Sequence, residues 1–115
     1  MKPDCIFCKI VNGDMKSDIL KEMEYTVAIK DINPQAPCHI LVIPKLHISS
    51  TLEIDNNNLF YLSEMIILAK EIVNNDTNIK NGCRWIINTG IDGGQTVDHL
   101  HLHILGGRKM LWPPG

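Results

Sequence analysis

The chain of 115 residues lacks any hydrophobic run long enough to cross a membrane, because Lys, Asp or Asn interrupts each apolar stretch. Its first residues, Met1-Lys2-Pro3-Asp4-Cys5, also lack the apolar segment of a signal peptide. No basic run is present and the net charge is −2, which argues against a nucleic acid as the main partner. We therefore expect an intracellular protein without a membrane or nucleic-acid partner. A single nucleotide remains compatible with this charge, because backbone amides and neutral imidazoles can hold one phosphate.

The sequence also has no internal repeat and no linker, so we expect residues 1–115 to form a single domain. With 44% hydrophobic and 21% charged residues, the composition is that of an ordinary globular protein. In a reducing compartment, the four cysteines are more compatible with thiols or metal ligands than with disulfides. They are Cys5, Cys8, Cys38 and Cys83. We expect Cys38 and Cys83 to be small core residues.

Hydrophobic periodicity predicts two helices and five strands. Apolar residues recur at steps of three and four between residues 59 and 73, which predicts an amphipathic helix of about four turns. A short apolar segment at residues 5–11 predicts one or two further helical turns. The predicted strands are residues 19–22, 25–30, 39–43, 84–88 and 99–105. This pattern predicts an α+β fold with a mainly antiparallel sheet.

The last predicted strand carries three histidines, His99, His101 and His103, that alternate with apolar residues. Because side chains of a strand alternate between faces, all three imidazoles would share one face. One buried histidine is common, but three on one face have no packing rationale. The preceding loop, residues 92–96, is rich in glycine and suits backbone contacts to a phosphate.

Two chemical interpretations of this histidine strand compete. A zinc site with three histidine ligands is disfavoured, because residues i and i+4 of a strand lie about 13 Å apart, whereas zinc requires every ligand nitrogen at about 2 Å. The alternative is a nucleophile with support on either side, and the central His101 is best placed for it. A nucleophilic imidazole needs one free lone pair, so its other nitrogen must donate to a fixed acceptor such as a carbonyl.

The segment His99-Leu100-His101-Leu102-His103-Ile104-Leu105 resembles the His-φ-His-φ-His-φ-φ pattern of the histidine triad (HIT) family, where φ is hydrophobic. The resemblance to the Hint branch extends over nearly the whole chain, through residues 31–44, 92–95, 106–108 and 112–115. It implies an α+β fold of the HIT type, with a five-stranded sheet, one long helix and a short N-terminal helix. It also implies a cytoplasmic location, with the nucleus as a second one.

The resemblance implies hydrolysis or transfer at the α-phosphate of purine nucleoside phosphoramidates or acyl-adenylates. His101 would attack phosphorus and carry a nucleotidyl-histidine intermediate, which water then hydrolyses. Two other functions stay open: a dinucleoside polyphosphate hydrolase, and a nucleotide-binding regulatory protein whose catalysis is incidental. In each case the implied ligand is a purine nucleotide resembling AMP or GMP.

Further site residues follow from the same resemblance. His103 and His39 would flank the phosphate and help to manage protons. Asp31 would accept hydrogen bonds from the ribose hydroxyls, although by itself it is better interpreted as a turn residue before Asn33-Pro34. Ile32 would line the base pocket. The remaining nucleotide or phosphate contacts implied by the resemblance are Asn88, Gly94, Gln95, Thr96 and Val97.

The Cys5-Ile-Phe-Cys8 spacing is shared by zinc knuckles and redox pairs, but no strand precedes it as the redox interpretation expects. Zinc-bearing relatives combine such a pair with two histidines, so the resemblance implies a structural Zn²⁺ held by Cys5, Cys8, His47 and His99. Two departures from the family pattern are Asp98, where relatives often have an aromatic residue, and Thr96 in place of a serine. A carboxylate beside His99 could alter local pKa values or the surroundings of the metal.

Relatives of this type are homodimers joined by the long helix and the fourth strand, so we expect a continuous sheet of ten strands. Trp112 would then reach the site of the other subunit. On sequence alone, a local hydrophobic lid is an equally good interpretation of Trp112.

Overall fold

The computed structural model describes residues 2–115, and its elements follow the predicted order. A five-stranded sheet carries one long helix and one short N-terminal helix, which confirms the predicted α+β fold. The elements are α1 (Ile6–Asn12), β1 (Ile19–Glu22), β2 (Thr26–Lys30), β3 (Cys38–Pro44), α2 (Leu59–Asn74), β4 (Arg84–Ile86) and β5 (Leu102–Gly106). Two short 3₁₀ turns, Thr51–Glu53 and Thr77–Ile79, join them.

All neighbouring strands of the sheet are antiparallel, in the order β1-β2-β3-β5-β4. The central strand β3 places Leu41 opposite Ile29 of β2 and opposite His103 of β5. Strand β4 lies at an edge of the sheet, where one row of its backbone groups has no strand partner among residues 2–115. Within the described residues, no helix is long and apolar enough to span a membrane.

The alternation of side chains along the strands creates two separate hydrophobic cores. One core lies between the sheet and α2, where Val42 and Ile104 of the strands pack with Met65 and Leu68. The other lies on the opposite face, under α1. Its buried members are Phe7, Ile10, Val27, Ile29, Leu41 and Ile43. The histidines share this second face, so α1 is placed directly beside them.

Helix α1 is held at both ends by local chemistry. The Cys5 thiol accepts a hydrogen bond from the Cys8 N–H at 3.4 Å, as an N-cap does. Gly13 closes the helix with φ of 81°, a left-handed conformation that glycine adopts without strain. The pair of cysteines therefore begins a helix, and Phe7 and Ile10 of that helix are buried against the sheet.

The predicted strand over residues 99–105 is wrong at its beginning, because β5 starts only at Leu102. Its partner β3 ends at Pro44, which has no N–H and cannot donate to a further rung of the ladder. The N–H of Leu100 instead donates to the carbonyl of Ile48 at 2.6 Å. The predicted alternation nevertheless continues through this segment, because Leu100 joins the α2 core and His101 packs against Phe7 on the other face.

Candidate functional site

A cleft of about 440 Å³ opens on the α1 face of the sheet. The predicted site residues that line it are Asp31, Ile32, His39, Asn88, Gly94, Thr96, Val97, His101 and His103. A larger cavity of about 750 Å³ lies beside β4 and the C-terminal segment, but it contains none of the histidines. The smaller cleft is therefore the candidate active site.

His101 is buried at the bottom of the cleft with one nitrogen engaged. Its Nδ1 lies 2.7 Å from the backbone oxygen of His99. A carbonyl can only accept, so the Nδ1–H donates and Nε2 keeps its lone pair. Burial lowers the pKa of His101, which favours this neutral form at pH 7. The ring of Phe7 packs edge-on against it, with centroids 5.1 Å apart, and fixes its orientation.

His103 and His39 form a pair beside His101. His103 Nδ1 lies 2.9 Å from His39 Nε2, and His39 Nδ1 accepts a hydrogen bond from the Gln35 N–H at 3.0 Å. Burial, together with His101 and His39, lowers the pKa of His103 to about 4. Burial also lowers the pKa of His39, against an opposing effect of Asp31. All three rings are thus neutral near pH 7.

Asp31 lies between this pair and the open part of the cleft. Its Oδ1 accepts the N–H of Asn33 at 2.8 Å, as the turn interpretation requires. Its Oδ2 lies 3.3 Å from His39 Nε2. Ile32 beside it is 92% exposed and lines the same cleft. A carboxylate can accept hydrogen bonds from the hydroxyl groups of a ligand, while the apolar side chain beside it packs against a flat apolar part of the same ligand.

The glycine-rich loop meets the cleft through Gly94, Thr96 and Val97. A side chain at Gly93 would collide with the backbone of Thr89, whose nitrogen lies 2.8 Å from the Cβ position, and Gly94 has φ of 83°. Both positions therefore require glycine. The Asn88 amide donates to the carbonyl of Gly94 at 3.5 Å and holds the loop at the cleft.

Gln95, a predicted phosphate contact, is not among the residues that line the cleft. Its N–H donates to Gly90 O at 3.0 Å, and its side-chain oxygen accepts the Gly90 N–H at the same distance. Its side-chain nitrogen donates to the backbone oxygens of Ser49 and Val97. With these groups engaged, Gln95 supports the loop that presents Thr96.

Trp112 also lies outside the cleft within this chain. It is 82% exposed, and the guanidinium of Arg84 lies 6.0 Å from its ring centre. Arg84 donates to the carbonyl of Leu111 at 2.8 Å and so holds the C-terminal segment against β4. Trp112 is therefore not among the residues that line the cleft of its own chain.

A second cluster brings together Cys5, Cys8, His47 and His99, with all four candidate ligand atoms within 4.8 Å of one another. His99 Nδ1 lies 3.2 Å from Cys5 Sγ and 3.6 Å from Cys8 Sγ. His47 Nδ1 lies 3.4 Å from Cys8 Sγ. These contacts join the beginning of α1, the segment after β3 and the segment before β5.

The donor set of this cluster fits a tetrahedral zinc ion. Zinc–sulfur and zinc–nitrogen bonds of normal length place S and N about 3.5 Å apart across the metal, close to the S···N contacts here. His99 Nε2 donates to the Pro44 carbonyl at 2.9 Å, which leaves its Nδ1 lone pair directed at the sulfurs. Burial raises the pKa of the Cys5 thiol, and a bound cation would offset that penalty on the thiolate.

Some residues of the cleft were not predicted. Ile6, Phe7 and Ile10 come from α1, which the periodicity predicted as a helix without assigning it to the site. Leu41 could have been found, because it lies two residues from His39 on the same face of its strand. Ile29 lies opposite Leu41 on β2, which depends on the register of the two strands. The backbone N–H of Gln35 could not have been found, because a main-chain donor has no sequence signature.

Comparison with known proteins places this geometry in a family. The family described as "Scavenger mRNA decapping enzyme C-term binding" matches residues 4–112. An uncharacterised HIT-like protein of Synechococcus elongatus is 44% identical over 115 residues, with 100% of both chains covered. A 14 kDa zinc-binding protein of Zea mays is 40% identical over 112 residues, which cover 96% of this chain and 87% of the maize protein.

Solved structures agree with these sequence relatives. A HIT family hydrolase from Legionella pneumophila superposes with a TM-score of 0.93 at 40% identity, covering 97% of this chain and 100% of that one. A zinc-bound histidine triad family protein from Mycobacterium smegmatis gives a TM-score of 0.79 at 30% identity, with 92% and 76% covered. With nearly the whole chain matched and the histidine motif present, the protein belongs to the histidine triad family.

Proposed function

We propose that the protein is a hydrolase or nucleotidyl transferase of the Hint branch, acting at the α-phosphate of purine nucleoside phosphoramidates or acyl-adenylates. The observation that carries this proposal is the hydrogen bond of His101 Nδ1 to the His99 carbonyl, which leaves Nε2 free as a nucleophile in the cleft.

In the proposed reaction, His101 Nε2 attacks the α-phosphorus and forms a P–N bond while the bond to the leaving amine or carboxylate breaks. A departing amine takes up one proton from solvent, and the water that attacks in the second step returns one proton to solvent. The positive charge that develops on the imidazole is stabilised by the His99 carbonyl at 2.7 Å. Water then attacks phosphorus, releases His101 and yields the nucleoside monophosphate. Dividing the displacement into two steps lowers each barrier.

We propose that the nucleotide lies along the cleft with its phosphate at the histidines. Gly94, Thr96 and Asn88 are placed to contact the phosphate region, where donors stabilise charge on the phosphoryl oxygens. Asp31 accepts hydrogen bonds from the ribose diol. The base lies between Ile32 and the apolar side chains of α1 and the sheet. The mostly apolar lining of the cleft supports this placement of a purine.

We propose a structural Zn²⁺ at Cys5, Cys8, His47 and His99. The ligand distances support it, and two relatives are described as zinc-binding or zinc-bound. When bound, the ion would tie the start of α1 to the sheet. Since Phe7 and Ile10 of α1 line the cleft, the ion would indirectly stabilise the nucleotide pocket.

A homodimer with a continuous ten-stranded sheet is part of the proposal. Strand β4 is an edge strand, and Ile66 and Ile67 of α2 are 40% and 51% exposed. Pairing of both elements with a second copy would cover unpaired backbone and apolar surface together. In that arrangement Trp112 reaches the partner's cleft and contributes to the choice of leaving group.

A second candidate is cleavage of a dinucleotide joined by a polyphosphate bridge. It is favoured by the matched family, whose description refers to a scavenger mRNA decapping enzyme. The same attack by His101 would serve such a substrate, with a nucleotide as the leaving group. The two candidates therefore differ in leaving group and share the nucleophile.

A substrate panel tests both candidates. Wild type and His101→Ala are compared on an adenosine 5′-phosphoramidate, an acyl-adenylate and a cap-type dinucleotide. We expect the phosphoramidate or acyl-adenylate to have the highest kcat/KM, and His101→Ala to lose about 10³-fold or more while it still binds AMP. If the alanine variant stays within tenfold of wild type, His101 is not the nucleophile.

A further inference from the structure

We infer that the backbone N–H of Gln35 sets the tautomers of His39 and His103, and thereby makes His103 Nε2 a fixed hydrogen-bond donor to the anion in the cleft. The inference deepens the proposed function, because it takes the anion to be the substrate phosphate. His39 acts in it as a positioning residue, with no contact to substrate required.

The first step concerns His39. Its Nδ1 lies 3.0 Å from the Gln35 nitrogen. A backbone N–H can only donate, so His39 Nδ1 must accept and the ring proton must be on Nε2. A doubly protonated His39 would direct one N–H at another, so the same contact disfavours the imidazolium.

The second step passes this constraint to His103. The His39 Nε2–H lies 2.9 Å from His103 Nδ1. Asp31 Oδ2, at 3.3 Å from the same nitrogen, also favours a proton there. Since His39 Nε2 donates, His103 Nδ1 accepts and the proton of neutral His103 is on Nε2. For two neutral rings no other arrangement satisfies both contacts.

The third step concerns what His103 Nε2 faces. This atom is buried and has no hydrogen-bond partner among residues 2–115. A buried donor without a partner is costly, so it favours a ligand that supplies an acceptor. His103 lines the cleft beside His101, with ring centroids 4.9 Å apart. A phosphoryl oxygen attached to the phosphorus under attack would lie within reach of both rings.

The same tautomer excludes a metal ion at this place. Asp31, His39 and His103 have donor atoms within 4.8 Å of one another, as a metal site would. A metal ligand needs a lone pair, however. The Gln35 N–H occupies the lone pair of His39 Nδ1 and so keeps the ring proton on Nε2, the nitrogen that faces Asp31 and His103. The zinc ligand His99 shows the opposite arrangement, with its outer nitrogen donating to a carbonyl.

Gln35 is itself held in place. Its carbonyl accepts a hydrogen bond from Arg108 at 3.1 Å, and its side chain donates to the Asn33 carbonyl at 3.1 Å. Arg108 belongs to the turn after β5, the strand that carries His103. The loop that contains Gln35 is thus connected to β5 twice, through Arg108 and through the hydrogen bonds from Gln35 to His39 and from His39 to His103.

The test compares Gln35→Pro, which removes the N–H, with Gln35→Ala, which keeps the N–H and removes the side-chain bond to Asn33. Ring ¹⁵N shifts of His39 and His103, measured by NMR without ligand, report the tautomers directly. We expect both rings in the Nε2–H form in wild type and Gln35→Ala, and a shift of both toward mixed tautomers in Gln35→Pro. Affinity for AMP should fall tenfold or more in Gln35→Pro alone, whereas affinity for adenosine should stay within threefold.

A second pair of variants tests the inference if Gln35→Pro does not fold. His39→Gln can still donate to His103 Nδ1, whereas His39→Met cannot, so AMP affinity should be largely retained in the first and reduced tenfold or more in the second. A wild-type His103 in the Nδ1–H form, or equal AMP affinity in His39→Gln and His39→Met, would overturn the inference. The tautomer measurement is independent of turnover, so failure of the proposed reaction would leave it readable.

Discussion

The three histidines of the motif differ in which ring nitrogen carries the proton. His99 donates from Nε2 to Pro44 and offers Nδ1 to the sulfurs, whereas His101 donates from Nδ1 to His99 and offers Nε2 to the cleft. His103 accepts at Nδ1 from His39. One repeated residue type can therefore supply the proposed metal ligand, nucleophile and donor, because the hydrogen-bond partners differ at each position.

Asp31→Ala tests the proposed ribose contact. Wild type should prefer a ribonucleoside phosphoramidate over its 2′-deoxy analogue by roughly tenfold or more, since a hydrogen bond to a charged acceptor contributes about 1.5–3 kcal/mol. The variant should show almost no such preference. The ratio of kcat/KM for the two substrates isolates the diol contact from any effect of Asp31 on His39. An unchanged ratio would remove Asp31 from the ribose site.

The low pKa of His103 makes stability depend on pH. Its pKa falls from an ordinary 6.5 to about 4 on folding. Above pH 6.5 the ring is neutral in both states, so it has no effect. Between pH 6.5 and about 4 the unfolded chain binds a proton that the folded chain does not, so the free energy of unfolding decreases as pH falls.

Denaturant unfolding at several pH values measures this decrease. His103→Asn can still accept from His39 through its amide oxygen and cannot be protonated, so its stability should fall less between pH 6.5 and 4 than that of wild type. Zinc release in acid affects both proteins alike, so the difference between them reports His103. Parallel curves would show that His103 is not held neutral.

At the residue scale, the side chains of the site were predictable from the sequence, but the hydrogen bonds made by the main chain were not. Different roles for His99 and His101 were predicted. A carbonyl that accepts the ring N–H of the nucleophilic histidine was predicted as well. The N–H donor of Gln35 and the hydrogen bonds of Gln95 to nearby backbone groups were not predictable, because both depend on the conformation of loops. A glutamine next to glycines looks the same whether it binds phosphate or supports the loop.

At the scale of elements, boundaries were predictable where local chemistry decides them. Strand β1 was predicted at its observed bounds, and α2 begins at Leu59 as predicted and ends one residue beyond residue 73. The beginning of β5 was not predicted correctly, because it depends on Pro44 of a different strand, which lacks an N–H. Asn58 lies at the N-cap of α2, yet its side-chain oxygen accepts from Asp55 and so caps the preceding turn.

Helix α1 gives the element-scale prediction, because the proposed metal ligands Cys5 and Cys8 are at its start. Cys5→Ala should reduce zinc from one ion per chain to a small fraction and lower Tm by several degrees, since a metal bound only in the folded state stabilises that state. Intrinsic phosphate chemistry should change less than stability. Elemental analysis and thermal unfolding of the untagged protein measure both.

The matched control is Cys83→Ala, since Cys83 is a free thiol that packs beside the α2 core and away from the cluster. It should keep a full equivalent of zinc and lose it only as pH falls and the ligands become protonated. Freshly purified wild type without zinc at neutral pH would contradict the metal site.

At the scale of the whole molecule, the sheet has an open edge at β4, and the C-terminal segment lies beside it. Removal of residues 112–115 should change the ranking of leaving groups without dissociating the proposed dimer, because α2 and β4 would supply most of the interface. Kinetics on a panel of amines with one nucleoside measure the ranking, and sedimentation at micromolar concentration measures the assembly. A monomeric wild type would refute the arrangement, including the role of Trp112.

The two-core architecture explains why the site can be assembled from distant segments. Residues 100, 102 and 104 anchor the histidine segment in the α2 core, while its histidines face α1. The alternation of apolar residues and histidines along this segment determines this division of faces. The cleft depends in addition on the packing of α1 over the sheet, which periodicity within a single helix of seven residues does not reveal.

Detection of the covalent intermediate tests the central claim most directly. Wild type is mixed with an adenosine 5′-phosphoramidate, quenched in alkali within milliseconds to seconds, digested and analysed by mass spectrometry. The account predicts an adenylyl group on His101, stable in alkali and lost in acid, that is absent from His101→Ala. An adenylyl group on another residue, or turnover at the wild-type rate without any histidine adduct, would contradict it.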